Sequence, residues 1–231
     1  MGDSELRRLD QNLWVIDQPL RVGGLELGAR TCVIRLGDGG VIVHAPGPRT
    51  AGLSREIAAL GPVRALVAPN LLHHLFLAET ANAFPQARVF GAPGLREKLG
   101  GTRIDEVLAE TPPALWAGQL DSLLVAGLPG LGEVVFLHRA SHTLLCLDLC
   151  FNVRISSSWF TRVFMRMNGA YGRFGPSRAF RYVMMKDARA VRASIDRILA
   201  WDFERVTVAH GEVLETGGRD ALRASFAWLS P

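Results

Sequence analysis

The residues best placed to do chemistry in this chain are imidazoles and one carboxylate. There are six histidines. His44 closes the apolar run VIVH, His73 and His74 follow ALVAPNLL, His138 ends EVVFLH, and His210 ends RVTVAH. His142 follows His138 by four residues without such a run before it. Asp148 stands inside a further apolar run, LLCLDLCFN. Strand ends converge in α/β proteins while their residues stay far apart in sequence, so imidazoles and carboxylates there can form a metal site or an acid/base pair. Asp148 adds an energetic argument. A carboxylate within an apolar strand costs several kcal/mol unless it is paired or bound to a metal.

The elements that would position these groups alternate in type. LWVID, TCVIRL and VIVHA read as strands separated by Gly-rich turns, SREIAALG as a helix and RALVAP as a strand. LFLAETANAF returns to helix and ARVFGAPG to strand. TPPALWAGQLDSLLVAGLPGLG reads as loop with short strands, and EVVFLH and TLLCLDLCF as an antiparallel pair joined by RASH. From Ser156 to Trp201 the character is helical. Asp187 caps a helix whose Val191, Ile195, Ile198 and Leu199 share a face. ERVTVAHG is a last strand, followed by a helix that places Leu222, Phe226 and Leu229 against the core. This pattern implies α/β layering.

PNLLHHLFLAE, TPPALW, EVVFLHRASHTLLCLDLCFN and AHGE, taken in this order, resemble a domain-of-unknown-function branch of the metallo-β-lactamase-like hydrolase superfamily. The resemblance runs from Leu6 onward. It implies an α/β (α+β) class, an αββα sandwich forming a single domain over residues 1–231, with the helical segment 156–201 as an insertion. It also implies a reduced metal site. The superfamily's H-x-H-x-D-H signature falls on PNLLHHLF, where Asn70 stands at the first His and His74 at the Asp, or at the last His after a shift of one. The first-motif Asp is replaced by His44, and the third-motif His by Leu131. Asp148 matches the bridging acid and His210 the terminal His.

The ligand set implied by the resemblance is His74, Asp148 and His210, with His73 as a further candidate if the loop register shifts. Adjacent residues in an extended segment point oppositely, so one of His73 and His74 would support the other. Asp148 and His74 are the residues expected to take part in catalysis. Such a set suits one divalent ion, Zn²⁺, Fe²⁺ or Mn²⁺. The implied activity is hydrolysis of an ester, thioester, lactone or phosphoester by metal-bound hydroxide. A vestigial site would hold no metal and leave a hydrogen-bonded network, making the chain a non-catalytic ligand-binding protein. His44 is read as lining the pocket, and His138 and His142 as capping and hydrogen-bonding groups. Cys146 and Cys150 would share a strand face with Asp148, and are read as core-packing thiols.

Seven basic residues and no acid lie between Arg154 and Lys186, interleaved with Trp159, Phe160, Phe164, Tyr171, Phe174, Phe180 and Tyr182. The ordinary reading packs these aromatics on the sandwich and turns the arginines to water. The functional alternative is a docking surface for an anionic substrate, a nucleic acid or an acidic membrane. The first reading of the partners is a small molecule, anionic in keeping with the basic segment, with no nucleic acid and with peripheral membrane contact as a further expectation. The composition, 48% apolar and 21% charged with a net charge of +4, is that of a folded globular protein and argues against disorder. Three cysteines within apolar runs fit a reducing cytoplasm. The start MGDSEL lacks Ser or Thr at position 6 and an apolar signal core, so neither myristoylation nor export is expected.

Overall fold

The computed structural model describes residues 5–229. The MGDSEL start of the sequence reading falls largely on residues 1–4, outside the described part. In chain order, strands β1 (Leu6–Asp10) and β2 (Leu13–Gln18) precede a small hairpin of β3 (Arg21–Val22) and β4 (Leu25–Glu26). Then come β5 (Ala29–Arg35), β6 (Val41–His44), α1 (Ala51–Ala59), β7 (Val63–Ala68), α2 (Leu77–Ala83), β8 (Arg88–Gly91), α3 (Leu95–Leu99) and β9 (Glu106–Val107). The rest holds β10 (Leu120–Leu124), β11 (Val134–His138), β12 (Thr143–Leu145), α4 (Trp159–Met167), α5 (Ala188–Leu199), β13 (Arg205–Thr207) and α6 (Gly218–Ser225). A π-helical turn, Phe180–Met184, precedes α5. Among the described residues, no helix is long and apolar enough to cross a membrane.

The chain forms two compact units. The first takes the residues up to Gln18 together with Ala29–Leu108. Its seven-stranded sheet runs β1-β2-β5-β6-β7-β8-β9. The pairs from β1 to β6 are antiparallel and those from β6 to β9 parallel. The parallel half is built from strand–helix–strand crossovers through α1 and α2, whose Leu53, Ile57 and Leu77 cover Val41, Val43, Leu66 and Val89. The carboxyl ends of the parallel strands, where α/β sheets present their ligands, carry His44 on β6 and the Asn70–His74 turn after β7.

The second unit takes Pro19–Gly28 and the chain from Ala109 on. Its four-stranded sheet runs β10-β11-β12-β13. EVVFLH and TLLC pair antiparallel as expected, Phe136 opposite Leu145, while β12 and β13 run parallel. Asp187 accepts from the N–H groups of Arg189 and Ala190, which starts α5 where the sequence places it. Val191, Ile195 and Ile198 of α5, with Leu222 and Phe226 of α6, pack in one core with Val135, Leu137, Leu144 and Val206 of the sheet.

Two readings of local structure change. TLLCLDLCF is strand only to Leu145, so Asp148 lies in a turn and does not share a strand face with Cys146 and Cys150. The segment 156–201 is helical in three pieces, with residues 168–177 irregular between the first two. Its aromatics divide: Phe180 is buried and Phe174 packs on the core, but Trp159, Phe160, Phe164 and Tyr182 are exposed.

Candidate metal centre

The turn carrying Asp148 is shaped by a residue that periodicity does not single out. Glu133, immediately before β11, is fully buried. Its carboxylate accepts the backbone N–H of Leu147 at 2.7 Å on one oxygen, and those of Asp148 at 2.8 Å and Leu149 at 3.0 Å on the other. Three consecutive N–H groups converging on one anion curl the backbone, which is why β12 stops at Leu145 and Asp148 turns out of the strand. Burial, and then the Asp148 charge, push Glu133 up to about 7, against the three N–H donors that favour its anion. The sequence signal for Glu133 was a lone acid at the head of an apolar run.

His210 lies three residues beyond β13, and its ring is held on two sides. Nδ1 lies 2.9 Å from the carbonyl of Gly28, which can only accept, so Nδ1 carries the proton of this bond. Phe151 stacks on the ring with centroids 5.5 Å apart. The backbone is fixed through Gly211, where a Cβ would come within 2.2 Å of the Asn152 carbonyl, and through the Asn152 N–H donated to the His210 carbonyl at 3.1 Å. With Nδ1 committed, Nε2 faces Oδ1 of Asp148 at 3.5 Å, both side chains being nearly buried. Nε2 and the Asp148 carboxylate are thus set to share a proton or a cation between them.

The histidine pair after β7 belongs to the first unit. It lies in a turn, so the opposed directions expected of an extended segment do not apply. Asn70, fully buried, accepts the N–H groups of Leu72 at 3.0 Å and His73 at 2.7 Å on its side-chain oxygen. At the position of the superfamily's first ligand the chain thus has a turn-forming amide. His73 is close enough to His44 for its charge to depress the His44 proton affinity. His44 itself is pushed down to about 3, by burial first and His73 second, and stays neutral. His74 lies toward Lys98, and its affinity for a proton is lowered by burial and then by that ammonium.

The remaining histidines and the thiols have structural partners. His138 Nδ1 bonds Ser141 Oγ at 2.6 Å. His142 has a left-handed backbone, φ 48°, and pairs with Asp202 at 3.0 Å. Cys146 donates its S–H to the Thr207 carbonyl at 3.3 Å, and Cys32 and Cys150 are buried and outside any disulfide.

The sequence profile of the family described as Domain of unknown function (DUF4336) matches residues 10–165. The chain belongs to this family. No curated protein matches this DUF4336 member in sequence. Its fold is that of the metallo-β-lactamases, as the sequence reading expected. It superposes on a metallo-β-lactamase from Pontibacter korlensis with a TM-score of 0.69 at 13% identity, covering 98% of this chain and 99% of that one. For a metallo-β-lactamase from Hirschia baltica the TM-score is 0.66 at 13% identity, over 100% and 99%. A metal-soaked flavodiiron core from Synechocystis sp. PCC6803 gives 0.67 at 13% identity, over 98% of this chain and 61% of that one. The metallo-β-lactamase fold is thus shared with these structures, and Asp148 and His210 lie together in the second unit.

Proposed function

We propose that this DUF4336 protein binds one divalent cation, Zn²⁺, Fe²⁺ or Mn²⁺, through Asp148, His210 and an imidazole of the Asn70 turn, and acts as a hydrolase. The observation that carries the reading is the buried approach of His210 Nε2 to Asp148 Oδ1 at 3.5 Å, with Nδ1 held by the Gly28 carbonyl. One carboxylate and neutral imidazoles make a donor set that suits these ions. His73 is the first choice for the third ligand, and His74, the ligand that the superfamily resemblance implies, is the second.

When bound, the cation supplies Lewis acidity toward the carbonyl or phosphoryl oxygen of an ester, thioester, lactone or phosphoester. The chain's own contributions are positional. Glu133 holds the Asp148 turn, and Gly28 and Phe151 hold the His210 ring with Nε2 presented. His44, kept neutral by burial, adds no positive charge to repel the ion. The reading takes the whole chain as one metallo-β-lactamase-like domain, with a small and anionic substrate, working in the cytoplasm where its three buried cysteines stay thiols. A second reading, ligand binding without turnover, is favoured by Asn70, which spends its side chain on two backbone N–H groups where the superfamily has a ligand.

Elemental analysis of protein purified without a metal-binding tag tests the site. About one equivalent of metal is expected, from purification or after incubation with Zn²⁺, Mn²⁺ or Fe²⁺. Asp148→Asn and His210→Ala should each release it, His73→Ala should weaken it more than His74→Ala, and His138→Ala should leave it in place. A stoichiometry near zero under every condition would overturn the reading. Full occupancy with no turnover of ester, lactone or phosphoester substrates would select binding over hydrolysis.

A further inference from the structure

Helix α4 sends its apolar side outward. Successive helical residues turn by about 100°, so Trp159, Phe160, Val163, Phe164 and Met167 fall on one continuous arc of the Trp159–Met167 helix. Trp159 is 68% exposed, Phe160 51%, Phe164 40% and Met167 69%. The opposite arc, Thr161 and Met165, is the buried one, Met165 packing on Val153 and Ala170. Arg162 and Arg166 lie along the edge between the two arcs.

This outward face is held in place. Ser158 accepts the Thr161 N–H at 3.1 Å and caps the helix. Thr161 Oγ1 accepts the Glu26 N–H at 2.9 Å from β4, while the Glu26 carboxylate accepts from Ser157 Oγ at 2.8 Å and from the Ser158 N–H at 3.1 Å. Single exposed apolar residues are ordinary on protein surfaces, but a contiguous exposed apolar stripe marks an interaction surface. Just before the helix, Ile155 is 84% exposed and extends the stripe in sequence.

The charge carried by the chain segment around the stripe is of one sign. Arg154, Arg162, Arg166, Arg173, Arg178, Arg181 and Lys186 occur with no acid between them. Arg154 faces Glu212 at 3.7 Å. Others spend their donors on neutral groups and keep their charge: Arg162 on the carbonyls of Ser156 and Ser157, Arg173 on those of Gly169 and Pro176, Arg178 on that of Met167. Arg166 lies over the Tyr171 ring, its carbon 4.8 Å from the centroid.

We propose that α4 is an in-plane anchor that docks this protein on an anionic lipid surface, with Trp159, Phe160, Phe164 and Met167 entering the headgroup–acyl boundary and the arginines facing lipid phosphates. An amphipathic helix with Trp and Phe on one face and arginines beside it is the form such anchors take. Basic residues near an anionic leaflet each add about 1 kcal/mol. A nucleic acid is a poorer occupant, because the exposed arc offers apolar carbon where phosphate and base-edge contacts need donors. A second copy is poorer too, because pairing the stripe with itself brings like charges together.

Co-sedimentation of the full chain with phosphatidylcholine vesicles, and with the same vesicles carrying about a quarter phosphatidylserine, tests the surface. Binding should be about tenfold or more tighter to the anionic vesicles and should weaken as salt rises. Trp159→Ser with Phe160→Ser should lower it about tenfold or more, and Arg166→Glu severalfold. All three positions are exposed, and matched thermal unfolding will show that the fold is kept. Tryptophan quenching by brominated acyl chains should be seen in the wild type and lost in Trp159→Phe. Absence of binding to anionic vesicles, or binding unchanged in the double variant, would overturn the proposal. So would single-stranded RNA binding or self-association that the double variant abolishes in a protein that leaves vesicles alone. None of these readouts depends on metal at Asp148 and His210.

Discussion

The two turns that carry candidate ligands are held by different means. The Asp148 turn is wrapped on a buried carboxylate that accepts three backbone N–H groups, and its partner His210 is held by a carbonyl on one ring nitrogen and an aromatic ring on its face. The Asn70 turn rests on a neutral amide oxygen that accepts two N–H groups, and its histidines are half-buried. Three backbone donors on one fully buried side chain fix a turn more tightly than two on one amide oxygen. The first turn is therefore prepared before any ligand arrives, whereas the second retains room to adjust.

The largest effect that would test this contrast is at Glu133. Glu133→Gln replaces one accepting oxygen by an NH₂ group facing backbone N–H donors, and should destabilise the fold by about 3 kcal/mol. The same change should lower metal affinity at Asp148 by about tenfold or more, although residue 133 is not a ligand. Denaturant unfolding and metal titration read the two effects, and an unchanged affinity in a folded variant would break the idea that this turn is prepared by Glu133.

His44 gives the next effect, and it concerns pH. Its folded-state pKa of about 3 lies below the ordinary 6.5, so the unfolded chain takes up a proton that the folded chain refuses as pH falls below 6.5. Stability should fall by about 1.4 kcal/mol per pH unit from this group on going down from 6.5 toward 3. His44→Phe should flatten that slope in unfolding series between neutral pH and about pH 4, and an identical slope in the variant would remove His44 as its source. Glu133 has the opposite sign: its folded pKa, raised from 4.5 to about 7, makes a contribution that is full below 4.5 and lost as pH rises through 7.

The smallest effect should come from Asn70→Ala, which removes two neutral N–H···O bonds and should cost about 1 kcal/mol. Metal should be retained more fully than in Glu133→Gln. If the two variants proved equally harmful to metal binding, the contrast between the turns would fail.

Much of the framework was legible from local pattern. Alternating apolar runs located β2, β5, β6, β7 and β11, and Asp187 with the Val191–Ile195–Ile198 spacing located α5. The superfamily resemblance pointed to Asp148 and His210, which the second unit brings to 3.5 Å. Pattern failed where a side chain overrides it. TLLCLDLCF has the apolar character of a continuous strand, but Glu133, fourteen residues before Leu147, takes the N–H groups that a strand would use. The aromatics of 159–182 have the composition of a core, yet α4 buries Thr161 and Met165 and leaves Trp159 and Phe160 outside.

The sequence by itself determined most element types and the family, and the resemblance it carries named Asp148 and His210 as candidates. These follow from periodicity, turn residues and motif order, which are properties of neighbouring positions. Only the tertiary structure decided that Asp148 sits in a turn on Glu133, that His210 presents Nε2 because Gly28 holds Nδ1, and that α4 shows its apolar face to solvent. Each depends on a partner brought close by folding, Gly28 to His210 from 182 positions away and Glu26 to Thr161 from 135. A hydrogen bond acts over about 3 Å of space whatever the distance along the chain.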